Sequence, residues 1–271
     1  MTSLTVVGFL IGARSRHEPM PIRPCLARFA RCVRLRSPIR MPSATISGIT
    51  MPNEPLPEWE ALLSSAAHLQ RIVPEAVLVG GTAAASFAHH RISMDHDHTL
   101  GSLRSRFDEV LATLESVAGW KTARVKRPVL ILGSLDGIET GIRQLIREKP
   151  LETEVIEIAS EKLTVPTRAE MLRIKAVLIV KRNATRDYLD FVAMSDLIGQ
   201  AATLEALRDF DGFYPQPNGQ SARQQLQIQL ANPMPYDLDE TNLREYKKLR
   251  LEYQDWTVVA EECRELASIL W

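Results

Sequence analysis

From Pro57 onward, apolar residues recur at three- and four-residue steps. Trp59, Leu62, Leu63, Ala66, Ala67, Leu69, Ile72 and Val73 give the period of a helix lying on a core, and Pro74 stops it. Val77-Leu78-Val79 is a short, β-branched run suited to a buried strand. Gly80-Gly81 follows, and then a small-residue segment, Thr82 to Phe87, that reads as a helix start. A second helical stripe runs from Arg104 to Val117 through Phe107, Val110, Leu111 and Leu114, with Gly119 as its stop. Three β-like segments come next, Lys121 to Val125, Val129 to Leu132 and Gly137 to Leu145, with Asp136-Gly137 as the turn between the last two. Val155 to Ile158 adds a strand that ends before Lys162. The spacing then predicts a helix over Thr167 to Lys181, with Met171, Ile174, Val177 and Leu178 on one face. Thr167 is its N-cap, and Glu170 completes a capping box just after Pro166. Arg186 to Trp271 reads as helices, with a polar loop between Pro215 and Gln220 and a break at Asn232 to Pro235. The expected fold class is α/β (α+β): a mixed sheet with helices over 56–165, then a helical domain over 166–271.

The first part of the chain does not share this order. Residues 1–55 have no clear period, and Pro19, Pro21, Pro24, Pro38 and Pro42 interrupt them. Residues 1–50 hold eight arginines, no lysine and one acid, so residues 51–271 carry a net charge of −7 within a chain whose total is zero. An arginine-rich, acid-poor start fits a transit peptide. Leu4 to Ile11 could serve as a secretory apolar region but lacks a basic segment before it. The reading adopted is a disordered extension or an over-long gene start, with Met41 or Met51 as the beginning. No stretch reaches the ~18 to 20 apolar residues of a membrane span. Three cysteines without a Cys-x-x-Cys pair argue against a disulfide framework or structural zinc and fit a cytoplasmic location.

The chemistry concentrates in Val77 to Asp97. Asp95 and Asp97 are two apart, so on a strand both carboxylates face one side. Two adjacent carboxylates repel unless a cation lies between them, and Mg²⁺ (or Mn²⁺) is held by one or two carboxylates together with substrate phosphates. The glycines allow close backbone approach, and the N–H groups that open a helix attract anions. This combination points to an NTP site. The bland alternative is a strand–turn–helix with two surface aspartates. His89, His90, His96 and His98 crowd the same stretch and raise zinc as a rival. Alternation, however, turns His96, and His98 on a continuing strand, away from the aspartates.

The pattern Gly80, Gly81, Asp95, Asp97 resembles the signature of polymerase-β-like nucleotidyltransferases. Its extended form, GGTAAxxxxxHRxSxDxD, resembles the AbiEii/AbiGii-type branch, toxins of type IV toxin–antitoxin systems, and takes in Thr82, Arg91 and Ser93. The resemblance spans about Leu78 to Leu197 and implies a polymerase-β-like catalytic domain followed by a helical domain. It implies Mg²⁺-dependent transfer of an NMP from an NTP to an RNA acceptor, such as a tRNA 3′ end, and a cognate antitoxin as partner. Asp95 and Asp97 are then the metal ligands, and Gly80, Gly81, Thr82, Arg91 and Ser93 surround the nucleotide. A third carboxylate is expected on a neighbouring strand. Glu154 stands where the family's would, and alternation leaves Glu157 open. Lys175 lies in an apolar helix before an Arg-Asp-x-x-Asp element, Arg186 to Asp190. Were one helix continuous there, Lys175, Arg182, Arg186 and Asp190 would share a stripe with Asp187 beside it. Lys175 then either reaches triphosphate oxygens or pairs with Asp190, and either Asp187 or Asp190 is the functional aspartate. The rival functions are a transferase acting on a small molecule or protein, as in antibiotic modification, and a nucleotide-binding protein without turnover.

Overall fold

The computed structural model describes residues 57–217 and 219–270; the extension read at 1–55 lies outside the described residues. Helix α1 (Pro57–Ile72) buries Leu62, Leu63, Ala66, Ala67 and Leu69 and puts Glu58 and Glu60 in its first turn, where the helix dipole favours acids. Then follow β1 (Val77–Val79), α2 (Gly80–Ala88), β2 (His96–Leu100), α3 (Leu103–Glu115), β3 (Trp120–Lys126), β4 (Leu130–Leu135) and β5 (Ile138–Gln144). The five strands form one mixed sheet in the order β1-β2-β5-β4-β3. β2 and β5 run parallel while the other neighbours are antiparallel. A parallel pair needs a long crossover, and α3, β3 and β4 supply it. The predicted Asp136-Gly137 turn is present, with both residues at positive φ (54° and 84°), as a tight type I′ hairpin requires.

Two sequence readings need correction. Val155 to Ile158 is a strand, β6 (Thr153–Ile158), but it pairs with β7 (Glu161–Pro166) in a separate two-stranded ribbon. Its turn, Ala159-Ser160, holds φ of 51° and 65° without glycine or asparagine, so the hairpin carries no turn signal in the sequence. Helix α4 (Arg168–Arg182) is capped by Thr167, whose hydroxyl oxygen accepts from the Glu170 N–H at 3.3 Å. The Glu170 carboxylate does not return to the cap. It is buried and held by Arg147, with two contacts of 2.8 Å, and by Arg173 at 3.0 Å. The helix predicted over Thr167 to Lys181 is α4, and it ends at Asn183 in the left-handed conformation (φ 51°), so the continuous helix that would put Lys175 and Asp190 on one stripe does not form. Helix α5 (Thr185–Ile198) turns back to pack on α4. Helices α6 (Gln200–Ala206), α7 (Phe210–Phe213), α8 (Ala222–Ala231) and α9 (Trp256–Ile269) complete the helical part. No helix among the described residues is long and apolar enough to cross a membrane.

One apolar cluster joins α1, α4, α5, α8 and α9 with Leu163 and Val165 of the ribbon. A second packs α3 and the end of α1 on one sheet face, against Leu100, Ile131 and Ile142. His96 and His98 lie on that covered face, buried, with their rings edge to face at 5.3 Å. His96 Nε2 lies 3.0 Å from Ser65 Oγ and Nδ1 lies 2.9 Å from Thr140 Oγ1, while Ser65 donates to the Leu135 carbonyl. Asp97 and Thr99 point to the opposite, half-open face.

Burial pushes the His96 imidazole down to about 4, and burial also lowers His98 and His90. Between about pH 6.5 and 4 the unfolded chain therefore binds a proton at His96 that the folded chain refuses. This stability is present in full above the unfolded pKa and is lost as pH falls through that window, by about 3 kcal/mol for His96 alone. With chelator present, the denaturant midpoint should drop steadily from pH 7 to pH 4.5. His96→Asn should flatten that slope, and an unchanged slope would show that His96 titrates normally.

Candidate active site

The site is built where β1 runs into α2. Gly80 has φ +77°, and a Cβ there would lie 3.4 Å from the Asp97 Cβ. A Cβ on Gly81 would collide with the Arg91 guanidinium and stand 2.9 Å from Ser93 Oγ. Gly81 therefore makes room for the protein's own side chains at the start of the helix. No side chain caps α2, so its first N–H groups keep their capacity to bind an anion. Thr82, expected at the nucleotide, is buried, and its hydroxyl donates to the Asp95 carbonyl. It fixes the loop that carries the aspartate and is not in the cleft lining. Ser93 donates to Asp95 Oδ1 at 2.8 Å, which orients that carboxylate.

Beneath these residues lies Asp190, wholly buried on α5. It receives Arg91 Nε at 2.8 Å and Nη2 at 3.0 Å, Lys175 Nζ at 2.7 Å and His90 Nε2 at 2.7 Å. Burial alone would raise this carboxyl, but the charges of Arg91 and Lys175, with the His90 hydrogen bond, hold it well below the usual carboxylate range. Burial keeps His90 below its ordinary value despite Asp190, so the imidazole is neutral at pH 7. Two cations on one carboxylate leave the cluster with one net positive charge. Lys175 and Asp190 thus meet across two packed helices and not along one stripe. Asp187, also buried, is held by Arg182 through Nε and Nη2, the two donors of one guanidinium edge, with Nη2 to Oδ1 at 2.6 Å.

A cleft of about 350 Å³ opens above this floor. Among the predicted residues it gathers Gly80, Gly81, Arg91, Ser93, Asp95, Asp97, Lys175, Arg182, Arg186 and Asp190. Glu154 and Glu157 do not join them: both lie on the exposed ribbon strand β6, outside the lining. Asp187 is likewise outside it. On β5, the strand beside β2, Gly141 stands opposite Asp97, and Arg143 of the same strand brings its Nε to 3.5 Å from Asp97 Oδ1. Sequence reasoning missed Arg143 and a wall formed by Glu245, Tyr246 and Lys247. The Ile92 N–H donates to the Lys247 carbonyl at 2.8 Å and the Arg250 N–H to the His90 carbonyl at 2.9 Å, while the Tyr246 ring lies 5.8 Å from the Arg91 guanidinium carbon. That segment has no period, so nothing in its sequence marked it.

Among the described residues no group of three or more His, Cys, Asp and Glu gathers to form a complete metal cage. Asp95 and Asp97 do fit a divalent ion of the Mg²⁺ type, which takes one or two carboxylates and completes its shell with phosphate and water. The Gly80 backbone lies close to the Asp97 carboxylate, since a Cβ there would stand 3.7 Å from Asp97 Oδ2.

No family model matches the chain. Among curated proteins it is 30% identical over 124 residues to the mycolic acid-containing lipids exporter MmpL11 of Mycolicibacterium smegmatis, a stretch that is 45% of this chain and 13% of that protein. It is 36% identical over 95 residues to the heme uptake protein MmpL11 of Mycobacterium tuberculosis, 34% of this chain and 10% of that protein. The chain thus spans only about a tenth of the length of the curated relatives it matches. Among solved structures, a H. pylori protein assigned to the nucleotidyltransferases superposes at TM-score 0.46 and 14% identity, covering 78% of this chain and 92% of its own. The antibiotic-resistance factor ANT(2'')-Ia superposes at TM-score 0.44 and 11% identity, covering 56% of this chain and 91% of its own.

Replacing Asp190 by Asn should leave Arg91 and Lys175 buried without their counter-charge. The expected loss is about 3 to 5 kcal/mol of folding stability by denaturant titration. A near-normal midpoint would mean that the two cations find other partners.

Proposed function

We propose that this chain is a nucleotidyltransferase that moves an NMP from an NTP to an acceptor hydroxyl. The observation that carries this reading is one arrangement. Asp95 and Asp97 border a cleft whose floor, Asp190 with Arg91 and Lys175, holds a surplus positive charge beside the uncapped start of α2. The motif Gly80-Gly81…His90-Arg91-x-Ser93-x-Asp95-x-Asp97 further supports an AbiEii-type toxin that acts on RNA, with a tRNA 3′ end as acceptor and an antitoxin as its inhibitor.

Asp95 and Asp97 would hold Mg²⁺ or Mn²⁺, which when bound supplies charge neutralisation at the attacking and leaving oxygens. The other work falls to the chain itself. The backbone N–H groups at the start of α2 donate to phosphate oxygens. Lys175 and Arg91, over-balancing Asp190, draw the polyphosphate to the cleft floor, and the exposed Arg186 adds charge at the rim, where Lys247 is paired with Glu58. Ser93 holds the Asp95 carboxylate in one orientation. The acceptor oxygen then bonds to the α-phosphorus as the bridge to the β-phosphate breaks, and pyrophosphate departs. Positioning and neutralisation carry such a reaction, because the protein has little covalent chemistry to perform.

Incubation with each α-labelled NTP and total tRNA should put label on RNA only with a divalent ion present. Asp95→Asn and Asp97→Asn should each lower the rate on the order of 10³-fold while the fold survives. Near-wild-type transfer by both variants would sink the metal assignment, and no label transfer from any NTP would end the reading. Lys175→Met separates two roles of the lysine. Asp190 keeps Arg91 and His90 in that variant, so the melting temperature should hold while NTP binding weakens. The reverse result, a destabilised protein with normal NTP affinity, would assign Lys175 to structure alone.

A further inference from the structure

The half-open face of the five-stranded sheet carries a second and larger concavity, about 1170 Å³, that the cleft does not use. Strand register makes its floor. Val77 pairs with Thr99, Thr99 with Arg143, Arg143 with Leu130 and Leu130 with Lys126, so one continuous row crosses all five strands. Asp97 lies two residues from Thr99 along β2 and on the same face, roughly 7 Å away. Arg143 spans the gap, since its Nε lies 3.5 Å from Asp97 Oδ1. The groove therefore opens beside Asp97.

Its charge is one-sided. Arg104, Lys126 and Arg143 are exposed along it, and among the described residues Arg104 and Lys126 have no ion-pair partner. Of its two acids, Glu75 is taken by Arg106, which leaves only Glu148. Half-buried Val129, Leu130, Leu145 and Leu151 give an apolar surface between the cations. The volume exceeds the usual range for a small-molecule pocket, about 300 to 1,000 Å³. A polycationic small molecule would be repelled here, whereas a chain of phosphates with flat bases between them would be held at both.

We propose that this groove is the acceptor site and takes the single-stranded 3′ end of an RNA, with its phosphates on Arg104, Lys126 and Arg143. The proposal rests on the reading of the neighbouring cleft as the site of nucleotidyl transfer. Arg143 then exchanges Asp97 for an acceptor phosphate as the strand arrives, which frees the carboxylate beside the reacting hydroxyl.

The test uses the full chain and a fluorescein-labelled single-stranded RNA dodecamer, with binding read by anisotropy at several salt concentrations and without NTP. A fluorescent ATP analogue reports the cleft separately. The double variant Arg104→Glu/Lys126→Glu changes two exposed side chains. It should weaken RNA binding about tenfold or more and make the salt slope shallower by about two, while binding of the ATP analogue stays unchanged. RNA binding equal to wild type in that variant would overturn the groove assignment. So would label transfer by the wild type to the polycation tobramycin in preference to RNA. Failure of the wild-type protein to bind fluorescent analogues of all four NTPs would remove the transfer reading alone, because the RNA comparison is measured without nucleotide.

Discussion

Everything in the cleft depends on one buried carboxylate. Asp190 has no access to solvent and is satisfied because Arg91, Lys175 and His90 converge on it from two places in the chain. Arg91 and His90 belong to the loop before β2, Lys175 to α4 and Asp190 to α5. An unpaired charge at that depth would cost several kcal/mol, so the buried carboxylate needs a cation against it, and the bidentate Arg91 supplies one. Their meeting sets where α4 and α5 lie against the loop that bears Asp95, and the backbone bonds from 90–92 to 247–250 then seat the last wall.

The sheet divides labour between its faces by simple alternation. On β2, His96, His98 and Leu100 face α1 and α3 and are buried, while Asp97 and Thr99 face the open side. Packing and chemistry thus interleave residue by residue without sharing a surface. A second ionic centre secures the other side of the molecule. Arg147, just past β5, reaches Glu170 of α4, and the Phe213 ring of α7 lies within 4.8 Å of its guanidinium carbon and 4.5 Å of that of Arg173. Because Arg147 also borders the large groove, the ion pair that joins sheet to helices steadies the groove wall.

Much of this was legible in the chain. Long helices showed their 3.6-residue period, the Asp136-Gly137 hairpin showed its turn chemistry, and the burial of His96 followed from its place between two aspartates. The errors have physical causes. The β6–β7 hairpin turns on Ala159 and Ser160, which carry no preference for left-handed backbone. Glu170 matched a capping box locally but was drawn away by two arginines distant in sequence. Among site residues, those in the Gly80 to Asp97 stretch were visible because their spacing is local. Tyr246, Lys247 and Arg143 were not, because only tertiary contact brings them to the cleft or to Asp97. The ribbon took Glu154 elsewhere, since strand order cannot be read from alternation.

The wall formed by residues 245–247 has a consequence for biosynthesis. The cleft's first residues are made at Gly80 and its last at Lys247, so the ribosome must deliver everything between them before the pocket can close. Sheet and loop can settle earlier, as domains do when they fold in the order of their synthesis. A chain halted before the wall is made would carry both aspartates on an open surface, with His90 and Ile92 lacking their backbone partners. Synthesis through residue 247 is therefore itself a condition for a formed site.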